Sequence, residues 1–392
     1  MPRKRPTIAD VAEAAEVSIG TVSNYLNGTA GVRPATRARI EKAIRLLTYR
    51  RSTFARSLPG QPTKTLQRVD GLPHLLVVGH ICVDYLCGVD VLPHRDDRTA
   101  ARQIEKMLGG PAANLAVAAA GVGDKYALRV DLATAVGEDE DSEWALAELA
   151  SRGVDTLPIR QLSNNRLPRA IVIVESNGSR TILHETFELS EVDLTENLST
   201  SPQTQKCCLH IEGFHYERVG HSIERFREAG WKISLHTAGL PKGSRTPEAF
   251  ANLLRRVDLV FINDETLREI FGFGMPMAAM TTQAHSVLSR IKGRGDVVLT
   301  LGEFGAIVFR KSGSQIQVPA LSVDRLDATG AGDAFAGVFL SLWLHGATLS
   351  DAARHAAVAG SLATTAFGAQ SHTANLAELE GLLPSIEVRN AG

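Results

Sequence analysis

The sequence is poor in cysteine, has no long apolar run and carries almost no net charge, and each shortage excludes something. Only four cysteines occur in 392 residues. Cys82, Cys87, Cys207 and Cys208 sit in apolar runs, not at the spacings of a disulfide framework. The adjacent Cys207–Cys208 pair has no histidine or further cysteine at zinc-site spacing, so buried reduced thiols are expected. No stretch approaches the roughly 20 apolar residues of a membrane span. The start, Met-Pro-Arg-Lys-Arg-Pro, runs into polar helix signals and not into an export segment. The expected compartment is the cytoplasm, with no membrane partner. Internal repeats and low-complexity segments are also missing.

The net charge of −1 hides an asymmetry. Residues 1–60 hold eleven Lys and Arg against four acids, a net +7, and the remainder holds 31 against 39, a net −8. A basic head on an acidic body points to a polyanionic partner for the head alone. The length suggests two or three domains at about 150 residues each. A hydrophobic share of 44% with 22% charged residues is ordinary for a globular protein.

Three short helical patterns fill residues 7–47. Thr7 precedes Ile8, Val11, Ala12 and Ala15, Ser18 precedes Val22, Tyr25 and Leu26, and Pro34 opens a run holding Ile40, Ala43, Ile44 and Leu47. Asn27-Gly28 stops the second helix. A Pro/Gly stretch, Pro59-Gly60-Gln61-Pro62, reads as a linker. From His74 onward, strand-like runs alternate with helical ones: LLVVG (75–79), IVIV (171–174), CLHI (208–211), ISLH (233–236), LVFIN (259–263) and VVLTLG (297–302). That alternation predicts an α/β fold with a mainly parallel sheet covered by helices. The expected domains are 1–58, a linker at 59–73, and 74–392.

Two short helices around a tight turn, the second rich in small polar residues, fit a helix-turn-helix. Residues 7–49, with Asp-Val-Ala, Val-Ser, Thr-Val-Ser, Leu-Asn and Thr-Arg-x-x-Ile, resemble the DNA-binding head of the lactose-repressor (LacI) family. The resemblance implies double-stranded operator DNA as partner, read by a homodimer. Ile19, Gly20 and Asn24 would face base edges; Asn can pair with adenine, whereas Gly20 reads nothing. Ser18, Thr21 and Ser23 fall in the same DNA-facing stretch, with Thr21 and Ser23 suited to phosphates. Residues 50–58 resemble the family's hinge helix. Leu58 then either wedges into the minor groove or packs on the linker with Phe54.

In the body, Asp327-Ala328-Thr329-Gly330-Ala331-Gly332-Asp333 precedes the helical run AFAGVFLSLWL. Glycines at a helix start let backbone N–H groups converge on an anion. Asp333 beside them can accept a proton from an attacking hydroxyl. Gly109-Gly110-Pro111-Ala112-Ala113-Asn114 makes a second glycine-rich helix start upstream. Together the two resemble the paired signatures of the ribokinase (PfkB) family of carbohydrate and nucleoside kinases, over about residues 74–385.

That resemblance implies a ribokinase-like fold with a small β lid, a sugar or nucleoside substrate, ATP with Mg²⁺, and pairing through the lid. Asp333 corresponds to the catalytic base, and Gly330, Ala331 and Gly332 to the anion hole. Asp84, Gly109, Gly110 and Asn114 correspond to acceptor contacts. Asn263, Thr300, Gly302, Gly305 and Gly368 fall on the ATP side, with Gly302 and Gly305 open between ligand contacts and plain turn-formers. Asn177–Thr181 resembles the lid turn, and Asp327 lies near a monovalent-cation site, such as K⁺. Three positions depart from the pattern. Thr266 stands where an Asn-x-x-Glu motif ends in Glu, with Glu265 one residue early and turned ~100° away on a helix. His236 replaces an Asp, and Cys82 an Asn. The alternative function is a catalytically weak or inactive sugar-sensing repressor.

Overall fold

The computed structural model describes Gly71–Ala391 apart from residues 157–159, 162–164, 186–192, 196–197, 199–205, 273–276, 294 and 387–388, with scattered positions between Ala12 and Ala43. The chain separates into two compact units, Met1–Pro62 and Thr63–Gly392.

In the first unit Ala12, Ala15, Val22, Ile40 and Ala43 are buried together, with Val17 and Tyr25 against them. Ser18 starts a helical turn: its Oγ accepts the N–H of Thr21 at 3.1 Å and lies 2.8 Å from Thr21 Oγ1. Arg33, Arg37, Arg39 and Lys42 are exposed, and the Arg37 guanidinium lies 5.7 Å from the Tyr25 ring centre. Ile19, Gly20, Ser23, Asn24, Leu58 and the hinge segment lie outside the described residues.

The second unit is built on a ten-stranded sheet. From β13 (Asp296–Thr300) through β12 (Leu259–Asn263), β11 (Lys232–His236), β10 (Cys207–Glu212), β1 (His74–Val78) and β4 (Arg129–Ala133) to β6 (Val154–Thr156) every pairing is parallel. β14 (Ala306–Phe309), β15 (Gln315–Val318) and β16 (Arg389–Ala391) close one edge antiparallel. The central strands read as continuous apolar runs because helices cover both faces. On β12, Val260 and Ile262 join a core with Phe226, Phe250, Leu253 and Met280. Phe261, between them, faces the other way, edge-on to Phe339 of the helix Ala331–His345 at 5.4 Å.

The strand order reverses at β1, which lies between β4 on one side and β10 on the other. A crevice forms outside the carboxyl ends of parallel strands at such a reversal, and there open α/β sheets bind ligands. No described helix is long and apolar enough to cross a membrane.

One strand-like run leaves this sheet. Ile171–Val174 belongs to β8 (Arg169–Val174), which with β2 (Cys82–Gly88), β3 (Gln103–Gly109) and β9 (Arg180–His184) forms a separate four-stranded sheet, β3-β2-β8-β9. Its alternate residues Ala170, Val172 and Val174 are buried while Ile171 is 45% exposed, the signature of a sheet covered on one face only. β5 (Ala135–Val136) and β7 (Arg160–Gln161) make a two-stranded pair.

Candidate active site

Two helices of the body begin at a glycine of positive φ with no side-chain cap. The helix Pro111–Gly121 starts at Gly110, φ +99°, and the helix Ala331–His345 at Gly330, φ +76°. By contrast, Asp139, Thr246, Asn263, Thr348 and Asn375 cap the helices they precede with their own side chains. The first-turn N–H groups of these two glycine-started helices are therefore left for an outside acceptor.

Glycine is required at both starts. A Cβ on Gly330 would lie 2.5 Å from Ala369 Cβ, and one on Gly110 2.6 Å from the His80 carbonyl oxygen. Gly332 is different: nothing lies within 4 Å of its Cβ position, so an anion can approach the backbone there. The two helices lie backbone to backbone. A Cβ on Gly337 would stand 2.5 Å from the Leu115 carbonyl oxygen, and Ser341 Oγ donates to that of Ala119 at 3.1 Å.

This close approach brings Asn114 to Asp333. Asn114 Nδ2 donates to Asp333 Oδ2 at 2.9 Å, and Asn114 Oδ1 accepts from Gln370 Nε2 at 2.8 Å. Gln370 Nε2 also donates to the Leu108 carbonyl at 3.1 Å, which fixes the amide's orientation. On the other side, His236 Nδ1 lies 3.6 Å from Asp333 Oδ1. Burial pushes the pKa of Asp333 up to about 7, and the negative charge of Glu212 adds to the effect. The Asn114 hydrogen bond, His80 and Arg180 pull it down. A carboxylate poised near neutrality suits proton abstraction. Burial lowers His236 to about 4, so it faces Asp333 as a neutral imidazole.

Asp84, on β2, is 8% exposed and accepts from the Cys82 thiol at 3.1 Å. Burial raises its pKa, which the Cys82 hydrogen bond and His80 partly offset. A Cβ on Gly109 would fall 2.1 Å from Asp84 Oδ2, so this glycine makes room for the carboxylate across the β2–β3 pair. Cys82 is thus tied to the site, whereas Cys207 and Cys208 are buried strand residues; none of the four cysteines forms a disulfide.

Asp327 is 1% exposed and works as a clasp. Its Oδ1 accepts from Thr329 N and Oγ1 at 2.9 and 2.7 Å, and its Oδ2 accepts from Gly368 N at 3.0 Å. Gly368, φ +102°, lies so close to Met107 that a Cβ would come within 2.3 Å of its sulfur.

The remaining positions form a second group along the same sheet edge. Asn263 and Thr300 are paired in register at the ends of β12 and β13. The Asn263 side chain is engaged as a helix cap, accepting from Thr266 N at 2.9 Å. Thr266 is buried, Glu265 is exposed, and Asp264 pairs with Arg268 at 2.7 Å. Glycine is required at 305, φ +88°: its Cβ would lie 2.1 Å from the Val318 carbonyl. Gly302, φ +56°, faces open space.

Sequence reasoning missed Gln370, His80, Glu212 and His215. Read across the sheet, the carboxyl ends of β13, β12, β11 and β10 present Thr300, Asn263, His236 and Glu212, with His80 just beyond β1. The available signal was position: a polar residue closing an apolar strand run, where ligands bind in parallel sheets. His80 N donates to Glu212 Oε2 at 2.8 Å, and His80 Nδ1 lies 2.6 Å from Glu212 Oε1.

Residues 72–375 match the model of the pfkB family of carbohydrate kinases, and residues 7–52 that of the bacterial regulatory proteins of the lacI family. A deoxyribokinase of Salmonella typhi is 27% identical over 310 residues, covering 76% of this chain and 94% of that protein. An ATP-dependent ribose-1-phosphate kinase of Halopiger xanaduensis is 27% identical over 299 residues, with the same coverage. Among solved structures, the ribokinase of Giardia lamblia superposes with a TM-score of 0.66 at 19% identity, covering 80% of this chain and 99% of that one. The Arabidopsis thaliana ribokinase complexed with ribose and ATP gives 0.62 at 20% identity, with 80% and 99% covered. With its ribokinase-like sheet, its lid and its two glycine-capped helices, the chain belongs to the pfkB family of carbohydrate kinases and carries a lacI-family DNA-binding domain before it.

Proposed function

We propose that the body transfers the γ-phosphoryl group of MgATP to a hydroxymethyl group of a pentose or nucleoside, and that the head binds a specific double-stranded operator in the same chain. The observation that carries the enzymatic half is Asp333: a buried carboxyl with a pKa near 7, held by Asn114 at the open start of a helix. Asp333 takes the proton of the attacking hydroxyl, while the N–H groups of Gly330, Ala331 and Gly332 face the transferred group. Removing one such donor costs roughly 3 kcal/mol of transition-state stabilisation. Asp84, Gly109, Gly110 and Asn114 hold the acceptor, and Asn263, Thr300, Gly302, Gly305 and Gly368 line the ATP side. The deoxyribokinase and ribose-1-phosphate kinase relatives support a pentose-based acceptor.

Mg²⁺ neutralises phosphate charge when it arrives with the nucleotide. With Asp264 paired to Arg268 and Glu265 exposed, this helix start offers it little, and the phosphates themselves would hold it. The enclosed Asp327 carboxylate belongs to the same proposal as the anchor of a K⁺ site. K⁺ should raise the melting temperature of the full chain but not of Asp327→Asn.

A homodimer through the lid is part of this proposal. One face of that sheet carries the cross-strand rows Lys106–Tyr85–Ile171–Leu183 and Ile104–Cys87–Ile173–Thr181. Ile104, Ile171 and Leu183 on it are 66%, 45% and 55% exposed.

A second reading, a sugar sensor with little or no turnover, is favoured by Thr266, buried where a carboxylate would help organise metal-bound water. ATP turnover across pentoses, deoxypentoses and nucleosides, for wild type and Asp333→Asn, separates the two. Turnover lost in the variant supports the kinase; tight acceptor binding with no turnover in wild type supports the sensor.

A further inference from the structure

Beside the acceptor pocket lies a buried group that the phosphotransfer scheme does not use. His80, Glu212 and His215 are 4%, 1% and 1% exposed, and one donor atom from each lies within 4.8 Å of the others. Neither ring nitrogen of His215 has a hydrogen-bond partner among the described residues. Burying an imidazole with both nitrogens unsatisfied is costly, and native structures rarely do so without a bound species in reach.

We propose that His80, Glu212 and His215 bind one divalent transition-metal ion of the zinc type. Two imidazoles and a carboxylate are the donor set of such ions. Mg²⁺ and Ca²⁺ demand oxygen ligands throughout. Three donors around a tetrahedral ion at ~2.0–2.1 Å stand roughly 3.3 Å apart. The widest separation therefore has to close by about 1.5 Å at most, while the His80 Nδ1–Glu212 Oε1 pair, 2.6 Å apart, has to open and release any proton between them; the fourth position stays open to water or a substrate oxygen.

The surroundings hold these donors in place. Glu212 ends β10 and His80 follows β1, two strands paired in register. The His80 N–H to Glu212 Oε2 bond orients the carboxylate, as supporting hydrogen bonds do for metal ligands. Phe214 meets the His80 ring edge-on at 5.1 Å. His215 closes the short turn Gly213–His215, which is clamped from outside: a Cβ on Gly213 would fall 2.3 Å from the Ala238 carbonyl oxygen. Gly79 lies so close under Glu212 that a Cβ there would come 2.2 Å from Oε2, which keeps the carboxylate over the strand end.

The test uses the full chain, stripped with chelator and titrated with Co²⁺ as a visible probe, then with Zn²⁺ in competition. One equivalent per chain should bind with the absorption of a low-coordinate, histidine-ligated ion, and Zn²⁺ should displace it. His215→Gln and Glu212→Gln should each weaken that equivalent more than about 100-fold, beyond the loss of a supporting hydrogen bond. His94→Ala, at an exposed histidine, should leave it unchanged. Should either site variant fail to fold, X-ray absorption of the metal-loaded wild type decides, with two imidazoles expected around the ion. No saturable equivalent in wild type, an equivalent that survives both site variants, or a shell without two imidazoles overturns the proposal.

Discussion

Replacing Asp333 by Asn should slow turnover by orders of magnitude and stabilise the fold, and the stabilisation should depend on pH. Asp333 is 8% exposed, and burial with the Glu212 charge raises its pKa to about 7, against about 3.9 in an unfolded chain. A carboxyl that holds its proton more tightly when folded costs stability once the pH passes the unfolded value. The cost is absent below about pH 4, grows through the window from about 4 to 7, and levels off above it. At 1.36 kcal/mol per pKa unit, it is about 2 kcal/mol at pH 5 and about 4 kcal/mol at pH 7. Asn has the same shape without the charge, and its carbonyl oxygen can still accept the Asn114 amide that now reaches Asp333 Oδ2 at 2.9 Å. Denaturant unfolding of the full chain across this range should show the variant more stable at neutral pH. The gap should narrow by about 2 kcal/mol at pH 5 and close near pH 4. In parallel, kcat should fall by about 10²–10⁴, the usual contribution of a general base. A stability gap that ignores pH, a variant less stable throughout, or wild-type turnover in the variant would refute the assignment of a buried, neutral-range carboxylate as the base.

Asn114→Ala removes the hydrogen bond that lowers the Asp333 pKa, so the acid limb of the kcat/KM profile should move to higher pH; a move to lower pH would contradict it. Gly330→Ala places a methyl 2.5 Å from Ala369 Cβ at φ +76°, and should cost about 1–3 kcal/mol in thermal unfolding together with activity. Gly332→Ala meets nothing within 4 Å, so it should fold normally and lose rate alone, which steady-state kinetics beside a melting curve will separate. Ile171→Glu, on the exposed lid face, should turn a dimer into a monomer in analytical ultracentrifugation. Operator binding should weaken steeply with salt, since the basic head displaces counterions; a flat response, or equal affinity for all sequences, counts against a specific operator.

Local constraint explains what could be read before the fold was known. Glycine at 110 and at 330 is dictated by a positive φ at a helix start, a property of a few neighbouring residues, and so it stands out in the chain. Asp333 is three residues from Gly330, and the same short motif announces both. The continuous apolar runs of β12 and β13 declared a sheet buried on both faces.

Other features depended on distant partners. The run at 171–174 looks like those strands, yet it belongs to the lid, because its pairing with β2 is set by register and not by composition. Glu212, His80 and His215 become one cluster only when β10 crosses back to lie beside β1, and Gln370 reaches Asn114 across 256 residues of chain. That position 305 must be glycine follows from the Val318 carbonyl 2.1 Å from its Cβ position, a neighbour 13 residues away in the chain. The sequence by itself determined where the backbone must turn and leave N–H groups free, since φ and capping are short-range. Tertiary structure decided which side chains face those groups and how far burial shifts the Asp333 pKa. Both depend on distances between residues far apart in the chain.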